Sequence, residues 1–145
     1  MLFRSLVGEF DPSLAGSELE KLLGRPPRGP LPPVKATAVR DAREAVRDGI
    51  RSGALQTAHD IAEGGLAVAL AECCLAGGLG AHIETDADLF AEAPGRAFVV
   101  SGPGAAGIGQ VIGRVGGDTL EIAGRLTVTL AELGAARDAG LVRFG

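Results

Sequence analysis

Residues 58–80 read AHDIAEGGLAVALAECCLAGGLG, and this stretch decides the fold. Residues 54–59 (ALQTAH) have the length and composition of a short strand. Asp60 to Gly65 form a sharp turn. The next twelve residues, LAVALAECCLAG, are apolar on nearly every side except at Glu72, and a helix of that kind is buried. Gly77-Gly78-Leu79-Gly80 ends it. A strand feeding a buried helix calls for a sheet that the helix covers.

Outward from this centre the pattern continues. Upstream, about Lys35–Ser52, Val39, Ala42, Val46 and Ile50 share one helical face, with arginines elsewhere, and Gly53 stops the helix. Residues 25–33 (RPPRGPLPP) hold five prolines and exclude both helix and sheet interior. Before them come a short apolar strand and a helix near Ser17–Leu23, where Ser17 and Glu20 have capping-box spacing. Downstream, strands are expected at 81–85, 96–101, 110–114, 120–122 and 125–129. A last helix starts near Thr129, with Thr129 and Glu132 as a second capping box. The expected organisation is a lead-in and Pro-rich linker over 1–33 and an α/β domain over 34–145. Without a regular βαβ period, the class is α/β (α+β), a layered mixed sheet with helices on its faces.

Composition excludes several functions. The chain has 145 residues and 46% hydrophobic character, enough for one real core. Five Phe with no Trp or Tyr give no stacking surface for single-stranded nucleic acid, and the net charge of −4 disfavours nucleic acid and acidic membranes as partners. No apolar run is long enough to span a bilayer, and the N-terminus lacks signal-peptide order. Cys73 and Cys74 are helix neighbours that cannot pair with each other, which suits a reduced, cytoplasmic setting. The cysteines and histidines match no zinc spacing.

The turn at Asp60–Gly65 carries the candidate chemistry. Free amides at a helix start attract phosphate, and Gly64 and Gly65 let a ligand approach the backbone. Asp60, at the strand end, is placed to hold a magnesium ion bridging phosphate oxygens. A structural reading stands beside this one. Asp60 and Glu63 have capping-box spacing, and on that reading Asp60→Ala costs about 0.5–2 kcal/mol. His59 reads as a packed strand-end residue before a general base, and His82 as half-buried or solvent-facing. Cys73 and Cys74 behave as small buried hydrophobes. Arg96 and Glu92 read as surface ion-pair residues.

The segment AHDIAEGGLAVALAECCLAGGLGAHIE resembles the C-terminal domain of the phosphoribosylformylglycinamidine synthase family. That family has an H-D-x-S-[DE]-G-G-L-x-V-x-L-A-E stretch and then a G-G-L-G-A turn. LFAEAPGR at 89–96, IGRVGGDTLEI at 112–122, and LAGSELEKLLGRPPRGPLPPV upstream agree in order. The resemblance implies a layered α/β fold with partial ferredoxin-like topology, shared with aminoimidazole ribonucleotide synthetase. It implies an ATP- and magnesium-dependent ligase of purine biosynthesis, which turns formylglycinamide ribonucleotide into its amidine. The partners implied are N-terminal-type synthetase domains, a glutamine amidotransferase subunit that supplies ammonia, and a second copy in a homo-oligomer, such as a dimer. Asp60 matches an aspartate that binds magnesium at an auxiliary nucleotide site. The sequence departs from the family twice. Ala62 replaces a serine that touches the nucleotide, and residues 102–110 are too short for the family's helix, which leaves one sheet face thin. Most ATP-binding residues belong to domains absent here, so the isolated chain is expected to be inactive.

Two other readings remain. Gly102 to Gly107 fits G-x-G-x-x-G after a strand, the fingerprint of a dinucleotide-binding module, although the glycines that follow leave no room for its helix. A non-catalytic docking or self-associating domain is the other, because a lone C-terminal domain exposes the surface its neighbour covers.

Overall fold

The computed structural model describes residues 2–142. Seven strands form one sheet, in chain order β1 (Phe3–Val7), β2 (Thr57–Asp60), β3 (Ala81–Ile83), β4 (Phe98–Gly102), β5 (Gln110–Val115), β6 (Thr119–Ile122) and β7 (Leu126–Thr129). Their spatial order is β2-β4-β1-β5-β3-β6-β7. Every neighbouring pair is antiparallel except β3 and β6. The helices are α1 (Glu18–Leu22), α2 (Ala36–Arg51), α3 (Gly65–Gly77), α4 (Ala105–Ile108) and α5 (Leu130–Val142). This is the mixed sheet flanked by helices that the pattern of elements implies.

Strand alternation divides the core in two. Leu6 and Val99 point to one face, where they meet Leu66, Leu70 and Cys74 of α3. Val7 and Val100 point to the other, against Ala42 and Val46 of α2 and Ala105 of α4. α3 is buried for most of its circumference because the sheet lies below it and α5 packs against it.

Local signals set the helix ends. Ser17 Oγ accepts from Glu20 N at 3.2 Å, and the Glu20 carboxylate reaches back to Gly16 N at 3.1 Å. Thr129 and Glu132 form a reciprocal box: Glu132 N donates to Thr129 Oγ1 at 3.1 Å and Thr129 N to Glu132 Oε2 at 2.8 Å. Those amide and hydroxyl donors hold the Glu132 carboxyl below its ordinary value, the backbone amide of Thr129 contributing most.

The lead-in reading of residues 1–33 needs correction at its start. The short strand forms, but β1 is hydrogen-bonded between β4 and β5 in the middle of the sheet. Sequence order hides this, because both partners come about a hundred residues later. The Pro-rich stretch carries no helix or strand, as its composition requires.

α4 is one turn long, so the expected loss of a helix at 102–110 is real. A row of residues crosses from β5 through β3 and β6 to β7: Arg114, His82, Glu121 and Thr127. All four are exposed. The same short helix removes the dinucleotide reading of Gly102–Gly107. That fold needs a long helix after the glycines. Here a Cβ on Gly102 would strike the carbonyl of Ala54, so that glycine serves a close backbone approach.

Candidate functional site

β2 delivers Asp60 to the start of α3, as the sequence suggests, but the turn is built differently inside. The N-cap of α3 is Gly64, in the left-handed region at φ 84°, and no side chain of the local sequence caps it. The Asp60–Glu63 capping box does not form. Asp60 is exposed, its carboxylate 3.7 Å from His59 Nδ1.

Glu92 does the capping from a distant part of the chain. Gly64 N donates to Glu92 Oε1 at 2.8 Å, and Glu18 N, at the start of α1, donates to the same oxygen at 2.9 Å. The backbone of Glu92 forms a two-bond bridge with Ser13, at 3.0 and 2.8 Å. One half-buried carboxylate therefore answers two helix starts and ties the 89–92 segment to residues 13–18. The ion-pair reading of Glu92 is corrected accordingly.

Gly64 and Gly65 also serve packing. Gly65 has φ 74°, and a Cβ there would lie 2.6 Å from the Ala91 carbonyl oxygen. Its amide donates to Ala62 O at 3.1 Å, and Ala67 N donates to Leu89 O at 2.8 Å. The amides proposed as a phosphate cradle at Gly64 and Gly65 are thus already bonded within the chain. Anion affinity at this helix start is met by the protein's own carboxylate.

Outside the turn lies a concavity of about 410 Å³ lined by His59, Asp60, Ala62, Glu63, Glu72 and Pro94. Its three carboxylates repel a bare phosphate and favour a cation or a metal-bound nucleotide. His59 Nε2 is 2.7 Å from Glu72 Oε2 on α3, and Nδ1 lies 2.6 Å from the Asp60 carbonyl oxygen. Both ring nitrogens are engaged, so His59 is a strand-to-helix tie. Among the described residues no three His, Cys, Asp or Glu side chains converge as a metal cluster. Asp60 alone does not fit a magnesium ion, which takes six oxygens in near-octahedral geometry; other ligands would have to come from outside this chain.

The other candidate residues have structural partners of their own. Arg96 Nη2 donates to the Pro32 carbonyl at 2.8 Å, so it fastens the Pro-rich stretch instead of making a surface ion pair. His82 is exposed, 3.1 Å from Glu121 Oε2 and 3.4 Å from Glu84 Oε1. Its pKa is raised, first by the hydrogen bond to Glu121 and then by that to Glu84. Cys73 and Cys74 are unpaired, and burial pushes both thiols up while the Arg4 charge opposes it. Sequence reading noticed Glu92 but not its capping role, because its partners lie 28 and 74 residues away. It missed Arg4, a charge buried in a strand. No helix among the described residues is long and apolar enough to cross a membrane.

Comparison with known proteins agrees with this fold. Phosphoribosylformylglycinamidine synthase subunit PurL of Methanosarcina acetivorans is 37% identical over 156 residues, covering 96% of this chain and 22% of that protein. The protein of the same description from Lactobacillus delbrueckii subsp. bulgaricus is 41% identical over 101 residues, covering 68% and 14%. The chain thus spans about a fifth or less of the length of these curated relatives. Among solved structures, Thermotoga maritima PurL complexed with FGAR superimposes with a TM-score of 0.66 at 18% identity, over 91% of this chain and 27% of that one. The ATP complex of the same protein gives 0.66 at 16% identity, over 91% and 25%. At such identities the likeness shows the fold. The family described as AIR synthase related protein, C-terminal domain, matches residues 17–132, and the chain belongs to it.

Proposed function

We propose that this chain is the C-terminal domain of a synthetase that converts formylglycinamide ribonucleotide to its amidine, using ATP and ammonia released from glutamine. The observation that carries the reading is the alignment to PurL proteins across 96% of this chain. The site agrees with a partial role. Its acidic concavity offers Asp60 as one magnesium ligand and a wall for a metal-bound nucleotide, and it offers no complete set of ligands. N-terminal-type synthetase domains would supply the rest, with a glutamine amidotransferase subunit delivering ammonia and a homo-oligomer as the assembly. The exposed sheet row from Arg114 to Thr127 leaves surface for such neighbours. Two unpaired cysteines suit a reducing cytoplasmic setting.

The test is amidine formation from formylglycinamide ribonucleotide, ATP, magnesium and ammonium salt. The chain alone should give no product. Adding a polypeptide with the N-terminal-type domains of a PurL protein should restore turnover. Product from the chain alone, or none from the reconstituted mixture, would refute the reading.

A further inference from the structure

Arg4 is 3% exposed, and its Nε has no hydrogen-bond partner. The arginine ion pairs among the described residues belong to Arg40, Arg47 and Arg137. A buried guanidinium without a counter-charge is costly, by several kcal/mol per ion in real proteins. Arg4 lines a cavity of about 310 Å³ between the β2-β4-β1 side of the sheet and the C-terminal half of α3. The strand registers explain its floor. Thr57 pairs with Ser101 and Ser101 with Arg4, so the three side chains stand in one row on the α3 face. Ala76, Leu79 and Val115 form apolar walls.

We propose that this cavity binds a small organic monoanion, a carboxylic acid with a short apolar body, whose carboxylate lies on the Arg4 guanidinium. The hydroxyl row supplies a second donor. Thr57 Oγ1 and Ser101 Oγ are 2.6 Å apart, and a single hydrogen bond between two hydroxyls leaves one proton free. A guanidinium matches a planar carboxylate. One positive charge and one free hydroxyl suit a monoanion; phosphate would bring extra charge and further lone pairs into apolar walls. The C-terminal carbonyls of α3 place only about half a negative charge on this side, which leaves most of the guanidinium charge uncompensated. The volume is at the lower end for small-molecule sites, roughly 300–1,000 Å³. His59 lines both this cavity and the acidic concavity beyond Asp60, but Arg4, Thr57 and Ser101 line only this one, so the site is tested independently of the proposed synthetase role.

Benzoate is the probe, monitored by amide NMR and calorimetry on the 145-residue chain. Benzoate should shift the amides of Arg4, Cys73 and Leu79 in a saturable way. Benzamide, the neutral isostere, should bind at least about tenfold more weakly, the loss of one charge-assisted contact. Inorganic phosphate should leave those amides unmoved. Arg4→Met should abolish benzoate binding, and Thr57→Val should weaken it while keeping the charge. If Arg4→Met does not fold, the benzamide and Thr57→Val comparisons still decide. The proposal is overturned if benzoate shifts nothing at about 10 mM, a Kd weaker than any useful site. It is equally overturned if benzamide or phosphate shifts the same amides as strongly, or if a folded Arg4→Met chain binds benzoate unchanged.

Discussion

Glu92 Oε1 accepts from the amides of Gly64 and Glu18, which open α3 and α1. Hydrogen bonds to a charged group contribute about 1.5–3 kcal/mol, and the loss also leaves two amides short of partners. Asp60, at the place where the local pattern puts a cap, is exposed and caps nothing. Urea unfolding should therefore separate the two. Glu92→Ala should cost about 2–3 kcal/mol, and Asp60→Ala should stay within about 0.5 kcal/mol. Equal losses at both positions would mean that the carboxylate at 60 caps the helix after all. The contrast between the two residues has a local cause. The Asp60–Glu63 spacing is the right signal for a box, as Ser17–Glu20 and Thr129–Glu132 prove by forming one. It fails at 60 because two left-handed glycines separate Asp60 from the first helical amides, and a distant carboxylate already fills the position.

At the scale of elements, periodicity and caps made much of the fold legible in the sequence. α2 and α3 lie within a residue or two of the expected ranges, since their apolar spacing and terminal glycines are written locally. Strand identities were legible as well; their order was not, because pairing is set by contacts between residues far apart. The exposed row on β3 and β6 depends on that order. There His82 and Glu121, brought side by side by the β3–β6 pairing, meet exposed to water. The fold raises the His82 pKa above its unfolded value, so protonation stabilises the β3–β6 pairing. That contribution is full below the unfolded pKa and is lost as pH rises through the higher folded one. NMR titration should place the His82 midpoint above the free value of about 6.5. Glu121→Gln should lower it more than Glu84→Gln does, in keeping with the order of their contributions. A midpoint at or below the free value would show that the carboxylates do not hold the ring. The energetic effect is small, since these groups are exposed and screened by solvent.

At the scale of the molecule, the first strand of the chain is the one that joins the two halves of the sheet. β1 pairs with β4 on one side, leading to β2, and with β5 on the other, leading to β3, β6 and β7. Its residues are divided between both cores: Leu6 at 8% exposure faces α3, and Val7 at 3% faces α2. Removing residues 1–33 would open both β4 and β5 as unpaired edges and strip both cores at once. Leu6 and Val7 alone account for about 1.5–3 kcal/mol each, against a total stability of roughly 5–15 kcal/mol for a domain. The chain from residue 34 onward should therefore show collapsed amide dispersion and no cooperative urea transition, where the whole chain shows both. A synthetic peptide of residues 2–7 added in excess should restore dispersion only if strand pairing is the missing element, since it returns the amides and apolar side chains without the Pro-rich segment. A dispersed spectrum and a sigmoidal transition from residues 34–145 alone would show instead that β4 and β5 close on each other, and that the compositional boundary at residue 33 is also a boundary of folding.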